Sequence, residues 1–166
     1  MTMSRGMFFE ELEEGAHYRS AGVTVTEESI IRFALEWDAQ PFHVDREAAA
    51  TSMFGSLISS GLQTILLTYR MYFQLALLEG TALAGLGIDD VRFLKPVRPG
   101  DTLHVGVTIA KLKPSSRPDR GIVTCRLETQ NHGGETVLTM GLSALVARRP
   151  DAPAESGAGS RGVRRP

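Results

Sequence analysis

One stretch of the chain, Leu62 to Leu78, constrains the fold more than any other. It is the most apolar part of the sequence, and its large side chains recur at the three- and four-residue spacing of a helix. Because Gln63, Arg70 and Gln74 interrupt it, we predict a buried helix about 25 Å long, ending at Gly80, rather than a membrane span. Further apolar residues widen the stripe almost all round, which predicts burial on most sides. The stripe consists of Leu62, Ile65, Leu66, Tyr69, Tyr72, Phe73 and Ala76.

Beyond Gly85 the helical spacing gives way to the alternation of apolar and polar residues that is typical of strands. One long helix followed by a run of antiparallel strands needs a sheet that curves around the helix, so the predicted fold class is α+β. Edge pairing of two such sheets would form a dimer, which is a hypothesis from architecture. The predicted strands are 88–94, 103–109, 122–130 and 136–147, with turns at 95–101 and 131–134.

The segment before the central helix is predicted to hold one short strand, Tyr18 to Val25, and a first helix. Thr26 is a suitable N-cap, and the helix is expected to end at Trp37, since Pro41 follows closely. Trp37 is expected to pack, and its place beside Asp38 would raise the pKa of that carboxyl by desolvation. The apolar stripe of this helix is Ile30, Phe33, Ala34 and Trp37.

The composition of the chain narrows the kinds of partner and cellular setting that we expect. A formal net charge of −1 offers no general attraction to nucleic acid or to acidic membranes. The single cysteine, Cys125, excludes an intramolecular disulfide and fits a reducing, cytoplasmic setting. We expect one domain over 1–149 and a disordered tail over 150–166, where Ala, Gly, Ser, Pro and Arg dominate. The histidines lack metal-ligand spacing, so no metal site is expected.

The chemistry-bearing residues surround a proline turn between the two helices. Asp38 and His43 flank Pro41, so they can converge on one point, and Gly61 opens the central helix. A carboxylate and an imidazole that share a water can activate it for addition. The unpaired N–H groups at a helix start favour an oxyanion. These residues predict a water-activating pair beside an oxyanion site, although an isolated Asp and His are more often structural.

The same residues resemble the hydratase motif of the MaoC-like dehydratases, also called R-specific enoyl-CoA hydratases, which have the hotdog fold. The resemblance covers roughly residues 8 to 147. It rests on the run Asp38-Ala39-Gln40-Pro41-Phe42-His43-Val44-Asp45, on Ser60-Gly61, and on the stretch Val91 to Leu103, which says more about fold than about chemistry.

The resemblance implies that Asp38 and His43 are catalytic and that the Gly61 amide binds the thioester oxygen. The sequence departs from the family where Gln40 replaces an Asn and Ser60 replaces a His, so both are expected to shape the site. The implied activity is reversible hydration of a 2-enoyl thioester of CoA or acyl-carrier protein by a homodimer or a dimer-based homo-oligomer. The implied protein has no cofactor beyond the coenzyme A of its substrate. Expected substrate-binding residues are Gln40, Phe42, Phe54, Ser60 and Leu62, with Met53 as a further candidate.

Two other functions stay open from the sequence. A hotdog acyl-CoA thioesterase would use the same acyl pocket but release free CoA. A non-catalytic subunit that binds acyl-CoA or acyl-carrier protein would show no turnover. Coenzyme A carries phosphates, so basic residues are expected at the mouth of the site. The candidates are Arg92, Lys95, Arg98 and Arg117.

Overall fold

The computed structural model describes residues 6–150, and four long antiparallel strands dominate it. The predictions for 151–166 lie outside the described residues. A 3₁₀ turn at Phe9–Glu11 comes first in the described chain. The strands are β1 (His17–Arg19), β2 (Val23–Thr24), β3 (Ala82–Phe93), β4 (Thr102–Pro114), β5 (Arg120–Gln130) and β6 (Thr136–Ala147). The helices are α1 (Glu27–Trp37), α2 (Pro41–Val44), α3 (Arg46–Thr51) and α4 (Gly61–Gln74).

The sheet confirms the predicted strands and extends most of them. Its order is β1-β4-β5-β6-β3, and β2 also pairs with β4. Residues alternate between buried and partly exposed along β4 and β5, as a sheet with one covered face requires. The strand predicted from Tyr18 to Val25 is instead two short strands, each pairing with a different part of β4.

The central helix, α4, packs one side against the sheet. Met71 and Tyr72 are buried in the same core as the inward side chains of β4, β5 and β6. The Thr68 hydroxyl lies 2.5 Å from that of Thr129 on β5. The helix is shorter than predicted, since it ends at Gln74, and Ala76 beyond it has a positive φ of 53°.

The prediction that α4 is buried on most sides is wrong. Leu62, Leu66 and Phe73 are each more than half exposed. The buried side instead carries polar groups whose hydrogen bonds are internal. The Thr64 hydroxyl donates to Ser60 O, and that of Thr68 to Thr64 O. A hydroxyl that donates to a carbonyl of its own helix can face the core with little loss of stability. The spacing of apolar residues alone therefore did not identify the side of α4 that faces the sheet.

The first helix follows the predicted bounds. Thr26 caps it by accepting from Ser29 N at 3.2 Å, and it ends at Trp37. Ile30 and Ala34 are fully buried, but Trp37 is 65% exposed, so the prediction that it packs is wrong. Asp45 caps α3 in the same way, accepting from two backbone N–H groups.

Strand β3 lies at the edge of the sheet and is irregular. Its register with β6 shifts three times, the last shift falling between Asp89 and Arg92. Asp90 inside this bulge has a φ of 49°, which is uncommon for a residue with a side chain. The bulge leads directly into Phe93, the last residue of the strand.

Candidate active site

Two short segments bring Asp38 and His43 together. Asp38 is the C-cap residue that follows α1, and its N–H donates to Ala34 O. Pro41 does more than stop α1, because it is the first residue of α2 and needs no partner for a missing N–H. His43 is thus on a one-turn helix, not in the predicted turn, and its side chain is almost wholly buried. The backbone of Phe42 accepts from Ile58 N, which fastens this helix to the segment before α4.

The imidazole of His43 has a defined orientation. Its Nδ1 lies 2.8 Å from Ile58 O, and a carbonyl oxygen can only accept, so Nδ1 carries the hydrogen. In the neutral ring the lone pair therefore belongs to Nε2. That nitrogen lies 3.5 Å from Asp38 Oδ2. The two predicted acid/base groups thus face each other with two acceptor atoms.

Two side chains hold the carboxylate of Asp38. The Ser60 hydroxyl donates to Oδ2 at 2.6 Å, and the Gln40 amide donates to Oδ1 at 2.9 Å. These two hydrogen bonds, that from Ser60 foremost, lower the pKa of Asp38 below its ordinary value of 3.8 and outweigh the opposing effect of burial. The predicted rise in this pKa through Trp37 is wrong, since Trp37 is exposed and the pKa is lowered.

The Ser60 hydroxyl links the Asp38 carboxylate to the start of α4. It is fully buried, and its hydroxyl oxygen also accepts from Leu62 N at 3.2 Å as the N-cap of α4. The prediction that it contacts substrate does not agree with that burial. Gln40, by contrast, is exposed and lies on the pocket wall.

The Gly61 amide lies where the sequence predicted, at the first position of α4. Its N–H has no protein acceptor within residues 6–150. A Cβ built on Gly61 would lie 2.7 Å from two ring carbons of Phe93, so a residue with a side chain here would displace that ring. Phe93 was missed from sequence, because its stretch was interpreted only as a mark of the fold.

These groups share one open pocket of about 450 Å³. Of the predicted residues, Asp38, Gln40, Phe42, His43, Phe54, Gly61 and Leu62 line it. The ring of Phe42 lies 4.5 Å from that of His43 and 5.3 Å from that of Phe54, which forms an apolar wall beside the imidazole. Met53, 92% exposed, is not among the lining residues. The pocket is also lined by Lys95, which was expected at its mouth, and by four residues that the sequence analysis did not place in the site, Phe93, Leu94, Pro96 and Val97.

The basic residues expected at the mouth are mostly occupied by protein partners. Lys95 lines the pocket and forms an ion pair with Glu135. Arg92 is paired with Asp90 at 2.8 Å. The Arg98 guanidinium donates to Phe54 O at 2.9 Å, so it anchors the loop that carries the apolar wall.

Across residues 6–150, no group of three or more His, Cys, Asp and Glu side chains could hold a metal ion. No helix in that part of the chain is long and apolar enough to cross a membrane.

The chain is similar in sequence to several known proteins. A family model described as MaoC like domain matches residues 9–131. The chain is 32% identical over 142 residues to the uncharacterized protein YdeM of Bacillus subtilis, covering 86% of this chain and all of that protein. It is 34% identical over 147 residues to the (R)-specific enoyl-CoA hydratase of Rhodospirillum rubrum, covering 86% of this chain and 93% of that enzyme.

Among solved structures, the MaoC-like dehydratase from Rhodospirillum rubrum superposes with a TM-score of 0.82 at 42% identity, covering 87% of this chain and 99% of that one. The predicted hotdog fold of class α+β is confirmed by this likeness. The family model matches most of the length of this chain, so the chain belongs to the MaoC-like domain family.

Proposed function

We propose that this protein adds water reversibly to the double bond of a 2-enoyl thioester. The observation that carries the proposal is the facing pair of acceptors, Asp38 Oδ2 and His43 Nε2, 3.5 Å apart in the pocket. A water beside both atoms can donate one hydrogen to each, which fixes the direction of its remaining lone pairs. Such positioning is what an addition to a double bond requires of its nucleophile.

The surroundings of the two groups support different roles. The lowered pKa of Asp38 makes its carboxylate a weak base, so it orients the water and stabilises a neighbouring positive charge. His43 Nε2 then takes the proton as the water oxygen bonds to C3 of the enoyl group. The electron pair of the double bond moves toward the thioester oxygen. The same Nε2–H returns its proton to C2, so that H and OH are added in sum and both side chains are restored.

The Gly61 amide is proposed to stabilise the charge on the thioester oxygen. It is a free donor at the positive end of α4, a helix of 14 residues. Such a donor acts on charge that develops in the transition state, and removing one typically costs about 10²–10³ in rate. Phe42, Phe54 and Leu62 provide the apolar surface for the acyl chain. CoA is the proposed carrier, supported by the name of the Rhodospirillum rubrum hydratase.

The active form is proposed to be a homodimer. Strand β3 pairs only with β6 among residues 6–150, so its other edge is open, and Leu83, Leu86 and Ile88 on it are exposed. Open apolar edges are normally covered. Sedimentation equilibrium at micromolar concentration tests this, and a monomer there would contradict it.

Loss of enoyl-thioester absorbance with purified protein tests the reaction. Activity is expected with 2-butenoyl-CoA or a longer homologue, and it should fall by orders of magnitude in Asp38→Asn and in His43→Ala. Glu47→Gln, an exposed change on α3, serves as the control. A thiol-trapping reagent in the same cuvette detects free CoA, which hydration does not release. Free CoA would favour the thioesterase, and unaltered rates in both variants would refute the assigned roles.

A further inference from the structure

Phe93 lies at the centre of the site without taking part in the proposed proton transfers. Its ring is packed on the Cα of Gly61, since a Cβ there would come within 2.7 Å of it. The side chain is nevertheless 59% exposed and lines the pocket with Asp38 and His43. One surface of the ring therefore rests on the helix start while the other faces the space a substrate would occupy.

The backbone that leads to Phe93 is distorted in a way that places this ring. The register of β3 slips between Asp89 and Arg92, and Asp90 has a left-handed φ of 49°. Bulges next to sites commonly redirect a side chain that regular pairing would point elsewhere. Here the residue that follows the bulge and ends the strand is Phe93, whose ring reaches the start of α4.

We propose that Phe93 determines substrate specificity by excluding substituents on C2, the carbon next to the thioester carbonyl. This inference rests on the proposed function. A carbonyl oxygen about 2.9 Å from Gly61 N brings its carbon, and C2 bonded to it, alongside the Phe93 ring. A straight chain passes between the ring and the Asp38–His43 pair. A methyl group on C2 needs the volume that the ring fills.

Binding of saturated thioesters tests the proposal without turnover. Butanoyl-CoA and 2-methylbutanoyl-CoA have the same main chain and no double bond to hydrate, and calorimetry gives the affinity ratio. The wild type should prefer butanoyl-CoA by at least about tenfold, the scale of one misplaced methyl group. Phe93→Ala should reduce that preference to below about threefold, with Phe93→Leu between. Leu35→Ala, an exposed change on the outer side of α1, should leave it unaltered.

A second arm tests the contact itself. Gly61→Ala should weaken butanoyl-CoA binding by about tenfold in the wild type but by less than about threefold in Phe93→Ala, because the collision is then gone. Three results would overturn the proposal. They are an equal loss of affinity in both backgrounds, an unchanged affinity ratio in Phe93→Ala, and no binding of either thioester to the wild type. Hydration of 2-butenoyl-CoA, measured in parallel, separates the hypotheses. If Phe93→Ala alters the affinity ratio but the wild type does not hydrate 2-butenoyl-CoA, only the proposed function is refuted. If the wild type hydrates it but Phe93→Ala leaves the affinity ratio unchanged, only the role of Phe93 is refuted.

Discussion

Replacing Ser60 by Ala removes one oxygen that serves both the fold and the site. The hydroxyl donates to Asp38 Oδ2 at 2.6 Å and accepts from Leu62 N at 3.2 Å. A hydrogen bond to a charged group contributes about 1.5–3 kcal/mol, and an N-cap contributes about 1 kcal/mol. Because the Asp38 side chain is 19% exposed and can regain some water, we expect the free energy of unfolding to fall by about 2–3 kcal/mol.

The same substitution should slow the reaction. Without Ser60, the pKa of Asp38 rises toward 3.8, and the carboxylate loses the stronger of the two bonds that orient it toward His43. A shift of a catalytic group by about 1 Å can cost on the order of 10²-fold, so kcat should fall by about 10-fold to 10²-fold. KM should change less, because the Ser60 side chain is buried away from the pocket surface.

A second helix cap supplies the control. Asp45→Ala removes the side-chain cap of α3, which accepts from two N–H groups, and should cost about 1 kcal/mol of stability without altering kcat. Calorimetric unfolding and the enoyl absorbance assay on both variants give the comparison. The reasoning is refuted if Ser60→Ala keeps the wild-type kcat, or if Asp45→Ala lowers kcat to the same extent.

Three further outcomes are expected. Arg98→Ala should raise KM by about fivefold with kcat within about twofold, because the loop at Phe54 loses the two hydrogen bonds that Arg98 donates to Phe54 O and Ser56 Oγ, which at this exposed position are together worth about 1 kcal/mol; an unchanged KM would contradict this. Thr129→Val should cost about 0.5–1.5 kcal/mol in denaturant unfolding, and adding Thr68→Val should cost less than the sum of the single changes, since each hydroxyl is the other's partner. The lowered pKa of Asp38 means that its ionised form stabilises the fold above about pH 4 and that this stabilisation is lost as the pH falls through the folded-state pKa. The difference in unfolding free energy between wild type and Asp38→Asn should therefore stay constant above about pH 5 and shrink below about pH 4.

Much of the scaffold could be predicted, because local patterns determine it. Alternation located the strands, and the last predicted strand, 136–147, has the bounds of β6. Thr26 was identified as a cap from residue type and position, and its side chain accepts the expected N–H bond. The convergence of Asp38 and His43 followed from a short loop that leaves little freedom.

What could not be predicted depends on long-range packing. Spacing shows that a helix has apolar residues but not which of them face its own sheet, so α4 was wrongly predicted to be buried on most sides. Trp37 fits the stripe of α1 by spacing, yet no element covers it among residues 6–150. Phe93 is about thirty residues from Gly61 in sequence, and only a distorted edge strand brings its ring to the helix start. No local pattern contains that information.

The orientation of α4 has a consequence for the protein in dilute solution. The side of α4 that carries the hydroxyls of Thr64 and Thr68 is buried in the core, while Leu62, Leu66 and Phe73 are exposed. In the proposed homodimer, dissociation returns apolar surface to water, so the free energy of unfolding depends on the concentration of the protein. Dilution would then act on this protein as a denaturant does, and it would loosen the hydrogen bond by which Ser60, at the start of α4, holds the Asp38 carboxylate beside His43.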